Sequence, residues 1–343
     1  MTKIVDLRSD TVTRPTPGML AAMAAAEVGD DVWGDDPTAN RLQAMMAEAT
    51  NKEAALFFPS GTQSNLAALM SHCERGDEYI VGQMAHTYRW EGGGAAVLGS
   101  IQPQPLEQDA DGTIPLAKIA AAIKPFGPGL GTHFARSKLL ALENTWGGRV
   151  LPQSYVVDAA ALARSKGLNV HLDGARAFNA AVASETTIAD ILAPFDSASL
   201  CISKGLGAPV GAVLVGDKAF IERAHRWRKM LGGGMRQIGS LAAACIYALE
   251  HQVDRLREDH DNAAALAAGL SEVAELSVLT QATNVVFLNI PALHADPLAE
   301  FLRARGMLMQ SAYAARLVTH LDVTREDVDR FVAAVKDYFR GAK

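Results

Sequence analysis

The chain has 343 residues, a formal charge of −6, 49% hydrophobic residues and 6% aromatics. That length fits about two domains with a sizeable core, and the apolar share argues against disorder. The acidic balance without a basic block disfavours a nucleic-acid partner, no run of about 18 apolar residues marks a membrane helix, and the first residues lack a signal-peptide core. Three well-separated cysteines, Cys73, Cys201 and Cys245, form no CxxC pair and suit a reducing, cytoplasmic setting.

In chain order, residues 16–27 read as a short helix with proline near its start, and 38–50 as a second. Ala54–Phe58 reads as a buried strand, Pro59-Ser60-Gly61 as a turn, and a helix runs on from Thr62. Further apolar runs predict strands at 78–82, 96–100, 138–144, 168–174, 197–203 and 211–216, with helices at 116–124, 154–166 and 218–231. This alternation predicts an α/β fold with a large, mostly parallel sheet; the pair around Cys201 and Val213, joined by a loop, admits one antiparallel strand. After residue 250 the rhythm changes: helix 251–275, strand TNVVFLNI, helix 296–305, strand RLVTHLDV and helix 325–339. The division expected is a large domain over 1–250, whose N-terminal segment reaches the substrate, and a smaller α+β domain over 251–343.

No P-loop, GxSxG or HExxH occurs, and no ligand cluster has the spacing of a metal site. Gly205-Leu-Gly207 lacks the third glycine of a dinucleotide fingerprint. Three segments remain. Lys204, in Ser203-Lys-Gly, ends a buried strand; a lysine there is costly unless it works, for instance by forming a Schiff base, although a bare SKG also describes a surface loop. Asp173 ends the VHLD strand at the ligand edge of a parallel sheet, where a helix cap or internal ion pair would also explain it. Ser60-Gly61-Thr62 joins a strand to a helix, offering backbone N–H groups to a phosphate or simply capping the helix. Together, an anion cradle, an acid and a lysine match the needs of pyridoxal phosphate: phosphate, ring nitrogen and aldehyde.

The segments DLRSDTVTRPT (6–16), EVGDDVWGDDP (27–37), LFFPSGTQSNLAAL (56–69), HLDGARAFNA (171–180), SKGLGAPVG (203–211), WRKMLGGGMRQ (227–237) and RLVTHLDV (316–323) carry a resemblance over essentially the whole chain. It resembles the low-specificity L-threonine aldolases of the β-eliminating lyase family, which are pyridoxal-phosphate enzymes of the aspartate-aminotransferase fold (fold type I). The resemblance implies reversible cleavage of L-threonine, L-allo-threonine and other L-β-hydroxy-α-amino acids to glycine and an aldehyde. A phenylserine-preferring aldolase, or another lyase using the same cofactor, is the alternative.

Carried over residue by residue, the resemblance implies that Lys204 bears the cofactor and Asp173 pairs with its ring nitrogen. Ser60, Gly61 and Thr62 would hold its phosphate, and His86 would stack on the ring near the substrate hydroxyl. Ser9, Arg176 and Arg316 would bind the substrate carboxylate, with Arg176 also beside the cofactor, and His133 would approach the β-substituent. Lys229 and Arg236 would lie near the site or contact a neighbouring subunit, in a homotetramer built as a dimer of dimers. Either His86 or His133 serves as the base. Three departures from the family pattern, Trp33, Trp146-Gly147 and a long 124–132 loop, bear on substrate preference and stereochemical discrimination, the second through the aldehyde side of the pocket and the third through the placement of His133.

Overall fold

The computed structural model describes residues 3–312 and 314–341. Its strands are β1 (Val5–Asp6), β2 (Ala54–Phe58), β3 (Asp77–Gly82), β4 (Gln102–Leu106), β5 (Arg136–Glu143), β6 (Asn169–Asp173), β7 (Ser197–Cys201), β8 (Ala212–Gly216), β9 (Ser277–Ala282), β10 (Val285–Asn289), β11 (Met307–Leu308) and β12 (Ala314–Val318). Seven of them form one sheet in the order β2-β8-β7-β6-β5-β3-β4. All its pairings are parallel except the two made by β8, which runs antiparallel to β7 and β2. This is the fold class that the alternating runs predict.

Helices cover both faces, so the strands alternate between two apolar layers rather than between core and solvent. Phe57, Ile80, Leu140, Leu142, Val170 and Leu172 pack with Met19, Leu42, Met46 and the 153–165 helix on one side. Tyr79, Val81, Leu139 and Ala141 face Leu66, Leu69 and Met70 of the Gly61–His72 helix on the other. A second cluster gathers Leu266, Leu270, Val286, Leu288, Leu317, Phe331 and Val335 around the antiparallel sheet β12-β10-β9. Val5 and Leu7 belong to that second cluster, because β1 pairs in parallel with β11. We propose the division at residue 250 as one between these two cores, with the N-terminal strand laid onto the smaller.

Several elements differ from expectation. Residues 96–100 are not a strand: Gly94–Val97 is a short helix entered through Gly92 and Gly93 at positive φ, and the strand lies at Gln102–Leu106. Its sequence, QPQPL, hides the signal. Pro103 and Pro105 are tolerated because β4 is an edge strand with only β3 beside it, so their missing N–H groups fall on the open side. The helix expected from 251 starts at Leu256, and a further helix, Gly239–His251, precedes it. Its residues Ala242, Ala243, Ala244, Cys245, Ile246 and Ala248 are buried nearly all round, which erases the one-sided pattern. Strand β9, half exposed along its length, also escapes the apolar-run signal. RLVTHLDV leaves its strand at Val318; Thr319 and His320 turn inward and bond to the carbonyls of Asp259 and Asp6.

Arg228 ties the large unit together. Its side chain is 2% exposed and donates to Asp31 Oδ2 (2.6 Å) and to the Phe57 carbonyl (2.7 Å). Removing one partner of a buried pair leaves the other charge uncompensated. Arg228→Ala is therefore expected to lower stability by about 3–5 kcal/mol, read from the urea midpoint.

Candidate active site

The C-terminal ends of β2, β6 and β7 converge on a cavity of about 360 Å³. It is lined by Ser60, Gly61, Thr62, Asn65, His86, Glu91, Asp173, Cys201 and Lys204, among others. Three of the sequence motifs thus meet at the carboxyl edge of the sheet, where open α/β sheets place ligands.

The Ser60-Gly61-Thr62 turn starts the helix Gly61–His72. The first N–H groups of a helix have no partner within it. Ser60 Oγ accepts from Gln63 N, and the first regular helical bond runs from Ser64 N to the Ser60 carbonyl. The amides of Gly61 and Thr62 are left to the cavity, backed by the helix dipole. Gly61 has to be glycine: a Cβ there would sit 2.6 Å from Cys201 Sγ.

Asp173 is buried at the end of β6. Its Oδ1 accepts from Ala175 N (3.1 Å) and its Oδ2 from Asn65 Nδ2 (3.0 Å). Lys204 lies in the loop after β7, its carbonyl accepting from Thr13 Oγ1 (3.1 Å) and Gly207 N (2.8 Å). Its ammonium has no hydrogen-bond or ion-pair partner among the described residues, and the side chain lines the cavity.

His86 opens a short helix, Ala85 preceding it as the cap. Its backbone N–H donates to Glu143 Oε2 (2.7 Å) and its Nδ1 lies 2.9 Å from Glu91 Oε1. The Glu91 hydrogen bond raises the His86 pKa above its ordinary value, against the effect of burial. Burial and the charge of Asp173 push the Glu143 carboxyl up to about 7, and burial raises Glu91 as well.

The structure does not bring every expected residue to this cavity. Arg176, just past Asp173, keeps 14% of its side chain exposed, and its Nε and Nη2 are both taken by Asp10 (2.7 and 2.6 Å). Arg316 lies on β12; burial and the charge of Arg176 lower its pKa, and its Nε has no hydrogen-bond partner among the described residues. Ser9 caps the turn Asp10–Val12, with Oγ accepting from the amide and hydroxyl of Thr11, a cavity residue. His133 is exposed at the end of the turn Gly129–His133, Lys229 is exposed on the Lys218–Met230 helix, and Arg236 pairs with Asp30 (2.8 Å). None of these three lines the cavity.

Sequence reasoning missed Glu91, Glu143 and Asn65. Glu143 had a signal: it ends an apolar strand opposite Asp173, as their register pairing shows. Asn65 is a buried amide inside a helix, an unfavourable place without a partner. Glu91 sits in a glycine-rich loop and offers no signal.

The beta-eliminating lyase family model matches residues 6–292. The chain is 57% identical over 330 residues to the low specificity L-threonine aldolase of Escherichia coli K12, covering 96% of this chain and 98% of that one. It is 35% identical over 345 residues to the Saccharomyces cerevisiae low specificity L-threonine aldolase, covering 98% and 87%. Among solved structures, Leishmania major threonine aldolase superposes with a TM-score of 0.83 at 22% identity, covering 97% and 99%, which speaks for the fold. The chain belongs to the beta-eliminating lyase family.

Proposed function

We propose that the chain cleaves L-threonine, L-allo-threonine and other L-β-hydroxy-α-amino acids to glycine and an aldehyde, with pyridoxal phosphate in the cavity. The observation that carries this reading is the meeting in one cavity of two helix N-terminal amides, a buried carboxylate and a lysine, the amides and the ammonium without partners among the described residues. The donor set fits the cofactor's chemistry: helix N-terminal amides for a phosphate, a buried carboxylate for a ring nitrogen and a lysine for an aldehyde, all lining one cavity. Ser60, Gly61 and Thr62 would hold the phosphate, Asp173 the ring nitrogen and Lys204 the aldehyde carbon. When bound, pyridoxal phosphate supplies a sink for the electron pair left at the substrate's Cα.

The remaining work falls to this chain's own side chains. Arg316, with an unpartnered Nε, and Arg176, oriented by Asp10, bind the substrate carboxylate, helped by Ser9. Guanidinium and carboxylate match in plane and charge. His86 takes the β-hydroxyl proton: it lines the cavity, and Glu91 orients its ring through Nδ1, leaving Nε2 for substrate. His133, Lys229 and Arg236 are assigned to a neighbouring subunit's site in a tetramer, a reading supported by their exposure away from this chain's own cavity. The cytoplasm is the proposed compartment, supported by three free, buried cysteines. No helix among the described residues is long and apolar enough to cross a membrane.

With added pyridoxal phosphate, the purified chain is expected to give aldehyde and glycine in equal amounts from L-threonine and none from D-threonine. Pyruvate and ammonia would instead mean elimination. Lys204→Ala should lose turnover and the visible absorption of the bound cofactor. Asp173→Ala should lower turnover far more than stability, measured by product formation and thermal melting.

Glu143 makes a pH prediction. Its folded-state value of about 7 lies above its ordinary 4.5, so the folded chain binds the extra proton between those values. Stability is therefore lost as pH rises from 4.5 to about 7. Glu143→Gln keeps an acceptor for His86 N–H and removes that loss. The variant should melt above wild type at about pH 8 and lose this advantage towards about pH 5, in melts of the cofactor-free chain.

A further inference from the structure

A chain of hydrogen bonds runs through the interior behind Asp173. Asn65 and His72 are seven residues apart on the Gly61–His72 helix and share a face. His171 and Asp173 are two apart on β6 and share a sheet face, and Ser197 on β7 is the register partner of His171. Asn65 Nδ2 lies 3.0 Å from Asp173 Oδ2 and 2.9 Å from Glu91 Oε1. Asn65 Oδ1 lies 3.3 Å from His171 Nε2, and His171 Nδ1 lies 2.8 Å from Ser197 Oγ. The same hydroxyl is 2.7 Å from His72 Nε2, and His72 Nδ1 is 3.2 Å from Asn169 Nδ2.

With both rings neutral, the Asp173 carboxylate sets the direction of every link. Carboxylate oxygens accept, so Asn65 turns its NH₂ to Asp173 and Glu91 and its carbonyl to His171. His171 then donates from Nε2 and accepts at Nδ1. The Ser197 hydroxyl gives its one proton to His171 and accepts from His72 Nε2, and His72 Nδ1 accepts from Asn169. Every proton in the chain has one acceptor. The scheme requires both rings neutral, since a protonated ring has no acceptor nitrogen. Burial pushes both down to about 3, and Arg223 and Lys138, which line the cleft beyond His72, add to the effect there.

We propose that Asn65, His171, Ser197 and His72 are positioning residues, a one-way chain of donors that orients the Asp173 carboxylate towards the cofactor's ring nitrogen. The proposal rests on the role given to Asp173 above. Hydrogen bonds aligned head to tail polarise one another, so each link strengthens the last donor at Asp173. It also gives a use to His171, a fully buried histidine that touches neither cavity nor solvent.

The test is ¹⁵N-histidine NMR on the protein as purified with its cofactor. Both His72 and His171 should be neutral Nε2–H tautomers at about pH 7. An Nδ1–H tautomer or a cation at either ring reverses a link and overturns the proposal. Ser197→Ala cuts the chain in its middle and leaves the Asn65–Asp173 bond in place. It should weaken pyridoxal phosphate binding about threefold to tenfold by equilibrium dialysis, with Ser197→Thr restoring it. Lost stability with unchanged affinity is what a merely structural serine would give, and would also overturn the proposal. A chain that takes up no pyridoxal phosphate overturns the functional reading itself, whatever the tautomers show.

Discussion

The ion pair between Asp10 and Arg176 holds together the parts from which the site is made. Asp10 follows β1, which pairs with β11; Arg176 follows β6; and Asn284, which donates to Asp10 Oδ2 at 3.3 Å, precedes β10. One buried carboxylate thus joins the N-terminal segment, the seven-stranded sheet and the three-stranded sheet. Burial opposes both charges, yet the attraction wins: Asp10 is held well below the usual carboxylate range and Arg176 is raised. Such a pair is a weak source of stability once desolvation is counted. Its value is geometric, because two parallel bonds fix the plane of the guanidinium.

The interior strands of the large sheet were legible because they are buried on both faces and read as apolar runs. The failures share a physical cause, the loss of contrast between buried and exposed positions. QPQPL has no apolar run because an edge strand needs none, and the Gly239–His251 helix has no polar face because almost all of it is buried. At the site, Gly61, Asp173 and Lys204 were legible because each ends an apolar run at the same sheet edge. Glu91 was not, because its place depends on a loop that only tertiary packing brings beside His86.

Asp173, Glu91 and Glu143 crowd around one imidazole, so the cluster carries more negative charge than its burial favours. Burial and the neighbouring carboxylate accordingly raise Glu143 and Glu91, and the Glu91 hydrogen bond raises His86. A cationic ring nitrogen beside Asp173 would offset that negative charge. Electrostatics and the proposed cofactor therefore ask for the same thing at the same place.

The opposite imbalance lies across the seam between the two cores. Arg176 and Arg316 both feel the Asp10 carboxylate, whose two oxygens are already bonded to Arg176. The Arg176 charge works against Arg316, whose Nε is left without a partner. Arg316 thus stands on the sheet of the smaller core with less carboxylate support than Arg176 has among the described residues. An amino-acid carboxylate placed there would restore the balance. Substrate binding would then supply the acceptor that the Arg316 Nε lacks among the described residues.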